Sequence, residues 1–332
     1  MHILKKFYIF VLILIFLYFL YMYVNSMPEN NETANIVFTA DKNYKEPLKV
    51  TLVSAIENKK PESKYNINII CADLTGEEAD EFHKFEKDNV KINTIPVTIE
   101  QLGALGNYKA ASTHVSRSDL FKFFLPEIFS RYDKLLYLDA DIIILDDLME
   151  LYNTNIKNKY LAAVMRINRE SRTYIAAKTA VFVFFKPEFN CGVMLMNLKK
   201  MREDKISEKL IKAKNEEKRR RYVTQGAFNE VIKESRLKIL PPKYNFLQRW
   251  IYRVNYIDYF NKFYKVKYSN INELYKEAVI LHYSGAEKPW KFEKITQLRD
   301  VWFRYALKAE LEPAFKEQLI ENYKALEIRG GE

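Results

Sequence analysis

The chain of 332 residues carries a formal net charge of +10, is 48% hydrophobic and 14% aromatic, and has two cysteines, Cys71 and Cys191. This supplies core for one large domain or two small ones, and it excludes a disulfide framework or a cysteine-rich zinc site. The positive balance favours an anionic partner (nucleic acid, acidic membrane or phosphate-bearing substrate) without choosing among them.

The first element in chain order is apolar. Lys5 and Lys6 precede an uncharged run from Phe7 to Val24. It is near the lower end of the roughly 17–25 residues that carry a helix across a bilayer, and longer than the roughly 7–15 of a cleaved signal core. Residues 1–26 are therefore expected to form a cytoplasmic stub and single-pass anchor, with 27–34 a short stem. The lysines before the run and "NSMPENNE" after it place the bulk outside the cytoplasm or in a lumen. Val24-Asn25-Ser26 would also pass as a cleavage site, and Asn31-Glu32-Thr33 matches a glycosylation sequon.

Strand and helix patterns then alternate. "NIVFTA" (35–40) reads as a strand, 47–58 as a helix, "YNINIICA" (65–72) as a strand, 77–88 as a helix, and "VKINTIP" (90–96) as a strand. "SRSDLFKFFLPEIF" (116–129) reads as a helix capped by Ser116 or Ser118. Strands follow at "LLYLDADIIIL" (135–145), "YLAAVMRI" (160–167) and "CGVMLMNL" (191–198), then a helix in "VTQGAFNEVIKES" (223–235). "LKILPPKYNF" (237–246) is a strand and turn, and "AVILHYSG" (278–285) a strand ending in His282. The tail from Gln297 is helical with a break at Pro313. Such alternation predicts an α/β fold with a mainly parallel sheet covered on both faces. Residues 35–296 are read as one catalytic-size domain and 297–332 as a helical extension. The basic run Lys218–Arg221 reads as a solvated helix face. The aromatic, basic stretch 243–268 reads as packing or membrane contact, so no nucleic acid is expected.

The run at 135–145 poses a problem. Its apolar residues suit a strand buried on both faces, yet Asp139 and Asp141 sit in its middle, and close buried carboxylates are costly. Either the strand ends at Leu138 and the aspartates emerge at its C-terminal edge, or a positive group lies between them. Ligands gather at such strand ends in open α/β sheets. Asp41 ends one strand, Asp139 and Asp141 another, and His282 a third. Two carboxylates and an imidazole are credible ligands for Mn2+ or Mg2+, and a cation there would also neutralise a diphosphate. Lys288 and Trp290 would add a phosphate contact and a wall.

Together these segments resemble the retaining glycosyltransferases of family 8, which include bacterial lipopolysaccharide galactosyl- and glucosyltransferases and glycogenin. The resemblance runs from about Asn35 to Lys291. It rests on "NIVFTADKNY", "HVSRSDLFKFFLPEIF", "DKLLYLDADIIIL", "FNCGVMLMNLKKMR", "VTQGAFNEV" and "ILHYSGAEKPW", in the family's order. It implies a GT-A type, Rossmann-like fold with a mainly parallel central sheet, behind the N-terminal transmembrane helix. It implies Mn2+ (or Mg2+) held by Asp139, Asp141 and His282, with Ala140 between the aspartates in the donor site. Ala40, Asp41, Asn43 and Tyr44 would meet uridine and ribose, Gly285 and Lys288 the diphosphate, and Asn190 and Gln225 the transferred sugar.

The implied reaction moves a hexose from a UDP-sugar, with glucose or galactose ahead of xylose, to a glycan, glycolipid or glycoprotein hydroxyl. Retention is expected through front-face attack, since Gln225 is a poor nucleophile. Three positions depart from the family pattern. Lys122 replaces an arginine that reaches the donor, keeping charge without the fork. Thr224 replaces an aspartate that would accept sugar hydroxyls, and Cys191 replaces a smaller residue. The first two put donor identity in doubt and motivate a rival reading, a non-catalytic sugar-nucleotide or glycan-binding protein on the same fold. A metal-dependent nuclease is the second rival, but it gives "HYSGAEKPW" no role. The expected location is a membrane, facing the Golgi or ER lumen in a eukaryote. In a bacterium it is the inner membrane, with the domain on the cytoplasmic side where UDP-sugars are found.

Overall fold

The computed structural model describes residues 32–98, 100, 116–166, 188–216, 223–251, 257–291 and 298–330. The expected anchor at 7–24, Asn31 of the sequon and the basic run 218–221 lie outside the described residues. Among the described residues no helix is long and apolar enough to cross a membrane.

The alternation read from the sequence becomes a sheet because its central strands bury both faces. β1 (Thr33–Ala40), β2 (Lys64–Ala72), β3 (Val90–Val97) and β4 (Lys134–Leu138) run parallel, pairing β1 with β2 and β4, and β2 with β3. Alternate residues enter opposite cores: Ile36 and Phe38 join one cluster with Leu48 and Leu52, while Val37 joins the other with Leu120 and Phe123. Burying each such side chain contributes about 1.5–3 kcal/mol. Helix α1 (Lys45–Glu57) supplies Leu48 and Leu52 to the first core. β6 (Leu161–Met165), β7 (Phe189–Asn197) and β8 (Leu237–Ile239) complete the sheet, in the order β3-β2-β1-β4-β7-β6-β8. Only β7 runs against its neighbours on both sides. The sheet is thus mainly parallel, as expected.

The run 135–145 is two strands in two sheets. β4 stops at Leu138, Asp139–Asp141 form the crossing, and β5 (Ile142–Ile144) enters a second sheet of order β5-β10-β9, with β9 (Phe246–Leu247) and β10 (Ile280–His282). Backbone bonds fix the crossing on both sides. Asp139 N donates to Gly192 O at 2.8 Å and Tyr283 N to Asp141 O at 2.9 Å. The aspartates therefore sit where three strand ends meet.

Three helices depart from expectation. The pattern at 77–88 yields α2 (Gly76–Asp80), closed by a Thr75–Glu78 capping box, and a 3-10 segment Glu81–Phe85. The segment 116–129 is a 3-10 stretch, Arg117–Phe124, that becomes α3 (Leu125–Ile128). Pro126 lacks the N–H that a continuous helix would use four residues back, so it opens a new helix instead. Ser116 is the cap, accepting from Ser118 N at 3.0 Å. The helix expected over 223–235 is shorter, α4 (Gln225–Val231). In the tail, α5 (Arg299–Ala306) and α6 (Pro313–Gly330) are separated as the proline predicts. Trp302 of α5 is fully buried in the core that holds β1, and Asn58 Nδ2 donates to Tyr305 Oη at 2.8 Å.

Past β5, Asp147 anchors the chain. It accepts from Lys60 N at 2.9 Å, Met149 N at 2.8 Å and the Tyr65 hydroxyl at 3.1 Å. Burial alone would raise its carboxyl, but these bonds and one from Ser63 hold it below the usual value. Its stabilising contribution is therefore full above about pH 3.9 and is lost as pH falls through the folded value. Asp147→Ala should cost about 2–3 kcal/mol by stranding these donors, read as a lower urea midpoint at neutral pH and a smaller gap from wild type under acid conditions.

Candidate active site

The side chains at the strand crossing form one connected group. Asp139 Oδ2 and Asp141 Oδ1 lie 3.8 and 3.2 Å from His282 Nε2. Among the described residues these three alone bring metal-binding atoms together, all within 4.8 Å of one another.

The tautomer of His282 follows from a backbone donor. Gly192 N–H donates to Asn190 Oδ1 at 2.9 Å, which fixes that amide's orientation. Asn245 must then turn its Nδ2 to the same oxygen, at 2.8 Å, leaving its Oδ1 to face His282 Nδ1 at 2.9 Å. Nδ1 therefore carries a proton, and Nε2 faces the two carboxylates. Asn245, fully buried, was not singled out from the sequence. It lies in a 3-10 turn after two prolines, where no periodicity marks it. Asn245→Ala should weaken Mn2+ binding about 10–100-fold, the usual effect of removing a partner that orients a ligand. Titration calorimetry on the folded variant checks this.

Two lysines flank the group. Lys288 Nζ bonds Asp141 Oδ2 and, at 2.9 Å, Tyr283 O. The ammonium lies 5.9 Å from the Tyr44 ring centre and 5.8 Å from that of Trp290, rings that meet edge-on. Burial opposes the charge of Asp141, yet Lys288 and His282 outweigh it and hold the carboxyl far below the ordinary range. Lys122, buried, bonds Asp119 and, at 2.8 Å, Asp139 Oδ1. Tyr137 also donates to Asp139 Oδ1, at 2.9 Å. Burial first, then Asp141, Asp139, Asp41 and Asp119, keep the Tyr44 phenol protonated well above its usual value.

The charges bear on whether a cation fits. Asp139 and Asp141 place two acidic side chains beside one imidazole, and a diphosphate would bring further negative charge to them; a divalent cation between them offsets both. The donor set suits Mn2+ or Mg2+. Space at the group is kept by Gly192, where an added Cβ would collide with His282 Cε1 and lie 2.6 Å from Asp139 Oδ2. The residues present fit such an ion.

The other expected site residues are spread along the walls. Ala40 is fully buried at the end of β1, and Ala140 is nearly so. Asp41 accepts from Asn43 N at 2.9 Å, Tyr44 N at 3.1 Å and the Ser116 hydroxyl, holding the loop into α1, while Asn43 is exposed. Gly285 has φ 98°, and its missing side chain leaves room for the Arg249 guanidinium, which an added Cβ would strike. Gln225 Nε2 donates to Glu188 Oε2 at 3.4 Å, and Glu188 pairs with Arg166 at 3.3 Å. Thr224 Oγ1 donates to Asp119 at 2.6 Å, which links the start of α4 through Lys122 to Asp139. Asp119, Glu188 and Arg249 were not anticipated. Of these, only Asp119 left a trace in the sequence, its three-residue spacing from Lys122.

Comparison with known proteins gives one consistent result. The profile of glycosyl transferase family 8 matches residues 35–294. Glycosyltransferase GlyE of Streptococcus pneumoniae is 30% identical over 203 residues, 60% of this chain and 44% of that protein. A lipopolysaccharide 1,2-glucosyltransferase of Escherichia coli is 28% identical over 270 residues, 79% of this chain and 74% of that protein. The chain therefore spans under half the length of the first relative. Among solved structures, the galactosyltransferase LgtC, in complex with donor and acceptor sugar analogues, has a TM-score of 0.68 at 21% identity. It covers 86% of this chain and 99% of its own, a likeness of fold.

Proposed function

Because this chain belongs to glycosyltransferase family 8, we propose that it moves a hexose from a UDP-sugar to a hydroxyl of a glycan, glycolipid or glycoprotein, with retention at the anomeric carbon. UDP-glucose and UDP-galactose are the favoured donors, and the likeness to a lipopolysaccharide 1,2-glucosyltransferase supports glucose first. The observation that carries the reading is the Asp139–Asp141–His282 group, pinned by Asn245 and flanked by Lys288.

A divalent cation held by Asp139, Asp141 and His282 would supply positive charge to the departing diphosphate. Lys288 adds an ammonium on the same side, steered by the Tyr44 and Trp290 rings. Asp41 shapes the loop that receives the nucleoside, and its backbone-bonded carboxylate keeps Asn43 and Tyr44 in place. Gln225 orients the sugar but cannot serve as a nucleophile. Glu188, the carboxylate beside it, is taken up by Arg166 and by Gln225 itself. Attack on the same face as the leaving group then accounts for retention, with a phosphate oxygen receiving the acceptor proton. The apolar run at 7–24 would hold the enzyme at a membrane.

The test is UDP release by the full chain in detergent, over a panel of UDP-sugars, with Mn2+ or with EDTA. Release from one donor, lost about 100-fold or more in EDTA, is the expected result. Mn2+-dependent UDP binding with no release from any donor, even with glycan acceptors added, would instead identify a binding protein on this fold.

A further inference from the structure

We propose that Asp119 supplies the carboxylate that receives the hydroxyls of the transferred sugar, a role that rests on the transfer reading above. The side chain of Lys122 is 3% exposed, whereas those of Asp119 and Asp139, which it bridges, are 21% and 25% exposed. The ammonium is sealed behind the wall, and the two carboxylates share its open side. Asp119 and Asp139 share Lys122 as counterion, so two carboxylates meet one buried ammonium, an arrangement that leaves repulsion and desolvation only partly offset.

Asp119 also has bonding capacity to spare. A carboxylate has about four lone-pair sites. Among the described residues, Lys122 and Thr224 take two of them. The remaining sites match vicinal hydroxyls, which a carboxylate accepts more strongly than a neutral group does. Its location follows from Thr224, which directly precedes Gln225. The acidic group missing at position 224 stands 2.6 Å from that threonine's hydroxyl, contributed by another segment of the chain. In this chain the carboxylate beside residue 224 comes from the 3-10 stretch Arg117–Phe124.

The experiment compares Asp119→Asn, Asp119→Thr, Thr224→Asp and the exchange Asp119→Thr with Thr224→Asp, each confirmed folded by thermal melting. Two quantities are read: calorimetric affinity for UDP with Mn2+, and kcat/KM with the best UDP-hexose. Asp119→Asn and Asp119→Thr should leave UDP affinity within about threefold and lower kcat/KM about 30–100-fold, the range for one charged hydrogen bond. Thr224→Asp alone should also lose activity, because it sets two carboxylates face to face. The exchange should recover to within about tenfold of wild type, as separate losses at independent sites would not. An equal fall in UDP affinity, or an exchange no better than Asp119→Thr, overturns the proposal. If wild type binds UDP yet releases none from any donor, the transfer reading fails by itself. The proposal is then decided by whether Asp119→Asn removes the extra affinity of UDP-hexose over UDP.

Discussion

Asp141→Ala is expected to abolish cation-dependent UDP release, by about 10^3-fold or more, the scale set by losing one strong electrostatic stabiliser in a buried site. The substitution does two things at once. It removes a candidate metal ligand, and it strands the buried Lys288, whose ammonium bonds Asp141 Oδ2 and the Tyr283 carbonyl. An ion pair broken from one side destabilises by about 3–5 kcal/mol, because an uncompensated charge stays buried. Asp141→Ala should therefore melt earlier as well as fail to turn over.

Two further variants separate the effects. Asp141→Asn keeps an oxygen for Lys288 and should fold, but it should bind Mn2+ weakly and release little UDP. Adding Lys288→Met to Asp141→Ala should restore much of the melting temperature and none of the turnover. Should Asp141→Asn keep its activity within tenfold and remain sensitive to EDTA, the cation is held elsewhere and the assignment of Asp141 is wrong.

The parts of this protein legible in its sequence are those governed by period and strand chemistry. β1 and β4 read as strands because Ile36–Phe38 and Leu135–Leu138 are continuous apolar runs, as burial on both faces demands, and β2 because Tyr65, Ile67 and Ile69 alternate with asparagines. The two aspartates betrayed themselves by cost, since carboxylates in such a run need a compensating charge. The first solution holds, since the strand ends at Leu138; the ammonium groups pair with one aspartate each, Lys122 with Asp139 and Lys288 with Asp141, rather than lying between them.

What stayed hidden depends on contacts between distant segments. Nothing local says that Ile142–Ile144 leaves one sheet for another, because pairing with His282 is a tertiary choice. Asn245 is 37 residues from His282, and its role exists only once Asn190 and Gly192 have fixed its amide. Pro126 is the opposite case. The proline stands in "FKFFLPEIF", yet the apolar pattern around it reads as one helix and conceals the limit that a missing N–H imposes.

Gly192→Ala should cost the cation site about 100-fold or more in Mn2+ affinity while the domain still folds, the range for disturbing a ligand's fixed orientation or more. The added methyl would strike His282 Cε1 and come within 2.9 Å of its Nδ1 and 2.6 Å of Asp139 Oδ2. No partner can yield cheaply. Gly192 lies in the interior of β7, its O accepting from Asp139 N at 2.8 Å and its N donating to Asn190 Oδ1 at 2.9 Å. The imidazole is held by Asn245, and the Asp139 carboxylate by Tyr137 and Lys122. The least costly response is rotation of the imidazole, which breaks the Asn245 bond and turns Nε2 away from the carboxylates. Manganese binding followed by electron paramagnetic resonance, beside a thermal melt, measures both halves of the expectation. Wild-type Mn2+ affinity in a folded Gly192→Ala would mean that His282 does not hold the cation, and the ligand set would shrink to the two aspartates.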